Sequence, residues 1–200
     1  ASFSPDGRYL AMISAANYND PSAGTLLVWD SQTEELRNLL PDYQGSIRDF
    51  AWRTDQELVW LGHRGTESEV QALTLKFLEN RMLVEPGEAI FTSLDGESGI
   101  GQIALRGNRP EHPNEAFLLD DSGLERLTVS NPWLDEITMP RQESITYEAR
   151  DGLQLEGILV YPTDYQEGQS YPTVMVIHGG PESHYSNGWL DRYSAPVKHA

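Results

Sequence analysis

Tyr171 to Pro181 reads YPTVMVIHGGP. Pro172 closes a polar loop, and Thr173 to Ile177 is an unbroken run of apolar and β-branched residues. Such a run is expected to form a strand buried on both faces. His178-Gly179-Gly180-Pro181 then stops it abruptly. Two adjacent glycines let the backbone turn sharply and approach another group closely, because neither carries a Cβ. Their N–H groups can point into open space instead of into a ladder. Free N–H donors at the carboxyl end of a buried strand are what an oxyanion hole requires, and Gly180, with Gly179 as the alternative, is the expected donor. Gly-Gly alone also marks an ordinary turn; the strand before it, His178 and Pro181 favour the donor loop, with His178 and Pro181 supporting its shape.

Working upstream, Ser144–Arg150 and Leu153–Tyr161 read as two strands joined at Asp151-Gly152, a strong hairpin signal. A polar loop, Pro162 to Ser170, leads from the hairpin to the buried run. An antiparallel hairpin feeding a buried strand is how an α/β-hydrolase sheet opens, and an HGG loop after its third strand supplies one oxyanion donor. Downstream, Ser194 reads as a helix N-cap, with Pro196 in the first turn and Val197 onward continuing. Tyr185 and Trp189 lie between loop and helix, placed either to line a substrate pocket or to pack on the sheet.

Before the hairpin the pattern changes. Residues 1 to about 131 alternate short strands with turn signals, as an all-β array does. Phe3-Ser4-Pro5-Asp6-Gly7 is a β-turn, followed by strands Arg8–Ser14, Thr25–Asp30 and Leu36–Leu40. A second set runs Arg48–Trp52, Glu57–Gly62, Val70–Lys76 and Arg81–Val84. A third runs Ile90–Ser93, a turn at Leu94-Asp95-Gly96, Gly101–Arg106, a loop Asn108–Asn114, Glu115–Asp120 and Leu124–Val129. Phe3, Phe50 and Phe91 recur at spacings of 47 and 41 residues, about one propeller blade each. A β-sandwich has similar strand spacing, but here a four-strand order with a polar second loop repeats three times. Three blades do not close a ring, so an incomplete propeller is expected. Met12, Trp29, Trp52 and Trp60 are expected in the inter-blade core. Pro132 bars a continuing strand, and Trp133 is expected to anchor a crossing segment between two domains.

Composition narrows the function classes. The net charge of −17 disfavours nucleic-acid binding and anionic membranes, both of which need clustered Lys and Arg. The absence of Cys excludes disulfides and thiolate chemistry. No His/Asp/Glu grouping has metal-ligand spacing, and no motif calls for a cofactor. No apolar run approaches the roughly 20 residues of a membrane span. The chain reads as soluble, with cytoplasm and periplasm both open. It starts ASFSPDG and ends in the expected helix, so a piece of a longer protein is expected.

The FSPDG turn, the NPWL crossing segment, the ITYEARDGLQLEGILVYP hairpin and the YPTVMVIHGGP stretch, in this order, resemble the prolyl oligopeptidase family of serine peptidases. The HGGP form looks most like its acylaminoacyl-peptidase and dipeptidyl-peptidase-like branch. The resemblance implies all-β propeller blades over residues 1–139, followed by the start of an α/β-hydrolase domain over 140–200. It implies a serine nucleophile in G-x-S-x-G, then Asp, then His, acting on short peptides admitted past the propeller. No G-x-S-x-G occurs here; Gly96-Glu97-Ser98-Gly99 is one residue short and sits among the blades. The nucleophile, acid and base are therefore expected outside these residues, and the chain alone is expected to be inactive. His178, His184 and His199 are poor candidates for the base. A carboxylesterase with an HGG loop shares the chemistry but leaves the blades unexplained. A non-catalytic propeller module leaves the HGGP stretch unexplained.

Overall fold

The computed structural model describes residues 1–15, 17–18, 23–179 and 184–190. Three four-stranded antiparallel sheets follow one another in chain order. The first, blade 1, contains β1 (Ser2–Phe3), β2 (Tyr9–Ala15), β3 (Gly24–Asp30) and β4 (Glu35–Asn38). Blade 2 contains β5 (Ser46–Trp52), β6 (Glu57–Arg64), β7 (Glu67–Thr74) and β8 (Glu79–Val84). Blade 3 contains β9 (Ile90–Gly96), β10 (Ile103–Arg109), β11 (His112–Asp120) and β12 (Gly123–Arg126). Each sheet is a meander whose neighbours in sequence are neighbours in space, as blades are built. Among the described residues the three sheets close no ring.

The turn chemistry sets each hairpin. In blade 1 the Gly7 N–H bonds the Ser4 carbonyl at 2.8 Å, and the Ser4 hydroxyl donates to Asp6 while accepting from the Tyr9 N–H. That network folds the Ser-Pro-Asp-Gly turn back on itself and starts β2 in register, Phe3 opposite Leu10.

Packing follows from the period-2 pleat. In β6, Leu58 and Trp60 face blade 1 and join Ala11, Leu26 and Val28. Val59 and Leu61 point the other way and join Phe91, Leu105 and Phe117 of blade 3. Phe91 and Phe117 meet edge-on at 5.4 Å. The sheets are also tied by polar bonds: the Trp52 indole donates to the Ser2 carbonyl at 3.0 Å, and the Ser68 hydroxyl both donates to Ala89 and accepts from the Phe91 N–H. Three stacked layers of this kind are not a two-sheet sandwich.

Several sequence expectations are corrected. Trp52 and Trp60 are inter-blade core, whereas Met12 and Trp29 are half-buried on the face of blade 1 turned away from blade 2. The expected turn at Leu94-Asp95-Gly96 lies inside β9, because β10 pairs as far as Gly96; the reversal comes later, at residues 97–101. The loop expected over Asn108–Asn114 shrinks to a tight reversal between Arg109 and His112. Trp133 is 59% exposed, and its neighbour Leu134, in the 3-10 turn Pro132–Glu136, is the buried residue of the crossing segment.

Where the chain leaves blade 3, a buried carboxylate holds it. Glu115 accepts from the Thr128 hydroxyl and from the Ser130 N–H and hydroxyl, and pairs with Arg126 at 3.4 Å. Burial opposes the charge, but those hydrogen bonds and the guanidinium outweigh it and bring the carboxyl down to about 2.

The hairpin forms as expected, with β13 (Gln142–Glu148) pairing β14 (Gln154–Val160). Its loop is longer than a two-residue turn. Ala149 N–H bonds Leu153 O, Gly152 N–H bonds Ala149 O, and Gly152 takes φ +88°, which is the three-residue type I turn with a bulged glycine.

The largest departure is the apolar run. Residues 173–177 form no strand, and Val174, Met175, Val176 and Ile177 are 69%, 82%, 43% and 84% exposed. A doubly buried strand needs a partner on each edge and a layer on each face; the hairpin makes only a two-stranded sheet, and the run joins neither edge of it. No α/β-hydrolase sheet is seen among the described residues. The helix expected from Ser194 lies outside them. No helix among them is long and apolar enough to cross a membrane.

Candidate active-site segment

Residues 171–190 carry every site residue expected from the sequence. Gly180 and Pro181 lie outside the described residues. Gly179 is described; its φ is not left-handed, and a Cβ built there meets nothing within 4 Å among the described residues.

His178 precedes it. The His178 ring stacks on Tyr185 with centroids 5.5 Å apart and planes 17° apart. Residues 178 and 185 are thus held side by side. Tyr185 is half-buried under this stack, so one of its faces belongs to the loop itself.

Beyond Tyr185 the segment lies on the blades. The His184 Nε2–H donates to the Gly65 carbonyl at 2.7 Å, and the Ser186 hydroxyl donates to His184 Nδ1 at 3.0 Å. The other face of the segment meets His63 of β6, whose ring stacks on His184 at 4.8 Å. His63 Nε2–H donates in turn to the Phe91 carbonyl at 2.8 Å. The Asn187 N–H bonds Thr66 O at 2.7 Å, its side chain donates to Glu67, and Gln142 of β13 donates to Asn187 and to the Gly188 carbonyl. The Trp189 N–H bonds the Asn108 side chain at 2.8 Å, and Leu190 is buried. Gly188 is required here, because a Cβ would run into Asn108 and, at 2.9 Å, into Ile90. Trp189 is therefore set against blade 3 at its backbone, half-buried.

The β6–β7 turn that receives this segment is itself specialised. Gly65 takes φ +58°, and a Cβ on it would strike the Glu156 carboxylate. Glu156, on β14, accepts from the Thr66 N–H at 2.9 Å, and Ser144 of β13 bonds the Thr66 hydroxyl. One turn of blade 2 thus holds both the hairpin and the segment after the glycines. Sequence reasoning did not find Gly65, Thr66, His63 or Glu156, since nothing local marks them.

Burial pushes His63 down to about 4, with His184 and Arg48 acting in the same direction against the Phe91 carbonyl. His63 is therefore neutral at pH 7, and each of the two stacked rings donates one N–H to a carbonyl. Among the described residues no group of three His, Cys, Asp or Glu is arranged to hold a metal ion. A cavity of about 760 Å³ lies elsewhere, between β8 and the outer strands of blade 3, over Leu83, Val84, Phe117 and Leu124. It includes none of the residues above.

No family model matches the chain. Dipeptidyl-peptidase 5 of Porphyromonas gingivalis is 23% identical over 197 residues, which cover 96% of this chain and 28% of that protein. A probable dipeptidyl-peptidase 5 of Aspergillus niger is 23% identical over 213 residues, covering 98% of this chain and 28% of that protein. The chain therefore spans about 28% of the length of these curated relatives. The acylaminoacyl peptidase of Pyrococcus horikoshii superposes with a TM-score of 0.73 at 16% identity, covering 94% of this chain and 28% of that one. That likeness shows the fold. The two relatives named as dipeptidyl-peptidase 5 match the chain over nearly its whole length.

Proposed function

We propose that these 200 residues are part of a serine peptidase of the prolyl oligopeptidase type, acting on short peptides by acyl-enzyme chemistry. Residues 1–139 are the propeller part and 140–200 the beginning of the hydrolase part. The nucleophile, acid and base have no counterpart in this sequence and belong to the remainder of the protein. What supports the reading is one continuous stretch that leads from blade-like sheets through the hairpin to His178-Gly179-Gly180-Pro181. Relatives named as peptidases match that stretch over nearly its whole length.

On this reading the Gly180 N–H, or that of Gly179, holds the oxyanion of the tetrahedral intermediate. His178 and Pro181 shape the loop, and Tyr185 and Trp189 border the substrate. The segment's chemical contribution is then one preorganised donor, whose loss typically costs about 100- to 1,000-fold in rate.

The test is Gly180→Val in the whole protein, assayed on a chromogenic dipeptidyl amide with folding checked by circular dichroism. A valine keeps its N–H but opposes close approach and a glycine backbone. The expected result is a fall in kcat of about 100-fold or more with KM little changed, because the donor meets a charge that develops only in the transition state. His178→Ala is expected to be milder. A Gly180→Val enzyme with kcat within about twofold of the parent overturns the assignment.

A further inference from the structure

We propose, resting on the reading above, that blade 2 positions the oxyanion loop of this peptidase and that His63 and His184 are the positioning residues.

The contacts form one unbroken line. The Phe91 carbonyl fixes His63, His63 stacks on His184, and Tyr185, next in the chain, stacks on His178, which adjoins Gly179. The two consecutive residues His184 and Tyr185 thus face opposite ways, one ring on the propeller and the other on the loop. Four residues lie between Gly179 and His184, so their Cα atoms can be at most ~18 Å apart. Both ends of that short span are held by ring stacks. Moving the His184 anchor displaces the adjoining Tyr185 ring on which His178 stacks, and a misplacement of about an ångström in a catalytic group can cost about 100-fold in rate.

The anchor holds His63 uncharged, because burial disfavours its charged form. His63 Nε2–H and His184 Nε2–H each donate to a carbonyl, and His184 Nδ1 accepts from Ser186. The charged groups around them are engaged elsewhere. Arg64 pairs with Glu69 at 3.4 Å, Gln71 donates to Glu69, Glu67 takes Asn187 and Ser144, and Glu156 takes Thr66. Arg48, on β5, adds positive potential at His63. Protonating His63 therefore sets one cation against another ring with no carboxylate assigned to it.

The sign follows from linkage. His63 has a lower proton affinity when covered than a free histidine, about 4 against 6.5. Docking of residues 184–190 is then at full strength above pH 6.5. It weakens as pH falls through the interval between the uncovered and the covered His63 midpoints.

Two measurements test this. The first is a histidine-ring NMR titration of the 200-residue chain and its His184→Ala variant. His184 is exposed, so the variant keeps the blade core. The His63 midpoint is expected well below 6.5 in the parent and about one pH unit or more higher in the variant. The second is steady-state kinetics of the whole protein on a chromogenic dipeptidyl amide. His184→Ala is expected to lower kcat about tenfold with KM within about twofold. His184→Gln, whose amide can still donate toward the Gly65 carbonyl, is expected to recover part of the loss.

A His63 midpoint that does not move in His184→Ala overturns the docking. A midpoint that moves while kcat stays unchanged, in a protein that Gly180→Val does inactivate, overturns the positioning role and leaves the oxyanion reading standing. If Gly180→Val is also fully active, the reading beneath both fails and the positioning role fails with it.

Discussion

Leu58 to Leu61 and Val174 to Ile177 are each four consecutive apolar residues, LVWL and VMVI. The first lies in β6, with all four side chains 0–1% exposed. The second is 43–84% exposed and forms no strand. Their hydrophobicity does not separate them. β6 has β5 on one edge, β7 on the other, blade 1 under one face and blade 3 over the other. The 174–177 run has none of these among the described residues. An apolar run thus states what a segment can bury, and the sheet around it decides whether it does so.

The comparison can be broken most sharply at Trp60. Trp60→Ala leaves a large cavity between blades 1 and 2 and removes the indole bond to Asn80. A loss of about 3–5 kcal/mol is expected in denaturant unfolding of the chain. A loss below about 1 kcal/mol would mean that the inter-blade layer is loosely packed and that β6 is no better covered than the later run.

A middle-sized effect is expected at the joint between the two regions. Gly65→Val forces a β-branched residue into a left-handed backbone and drives its Cβ toward Glu156. It should cost about 2 kcal/mol. Amide exchange should also rise in the 142–160 hairpin, where Glu156 and Ser144 hold Thr66. Unchanged exchange in the hairpin would show that it does not depend on blade 2.

The smallest effect is expected in the exposed run itself. Met175→Asp should change the stability of this chain by no more than about 0.5 kcal/mol, as surface substitutions do. A penalty approaching that of Trp60→Ala would mean that the run is buried in solution, and the contrast with β6 would disappear.

The blades could be read in the sequence because their signals are local. Ser4-Pro5-Asp6-Gly7 specifies its own turn, and alternation along β3 and β6 specifies two faces. Strand ends were less readable. Asp95 and Gly96 look like turn residues, yet they pair with β10 because the glycines at 99 and 101 make the reversal instead. The hairpin was found at its Asp-Gly, though that dipeptide takes the last two places of a three-residue turn rather than both places of a two-residue one. The anchoring of the 184–190 segment could not be read at all. His184 and Gly65 are 119 residues apart, and neither carries a local signal for the other. His184 by itself looked like a surface histidine, and only the fold supplies His63 as its neighbour.

The Thr66–Glu156 bond has a consequence for the order of assembly on the ribosome. Every strand pair in the blades joins consecutive segments, so each sheet can close soon after its last strand emerges. The Gly65-Thr66 turn is made early, but its carboxylate acceptor follows 90 residues later. Through the synthesis of blade 3 the Thr66 amide must therefore be served by water, and the turn stays open to solvent until the hairpin arrives to close it.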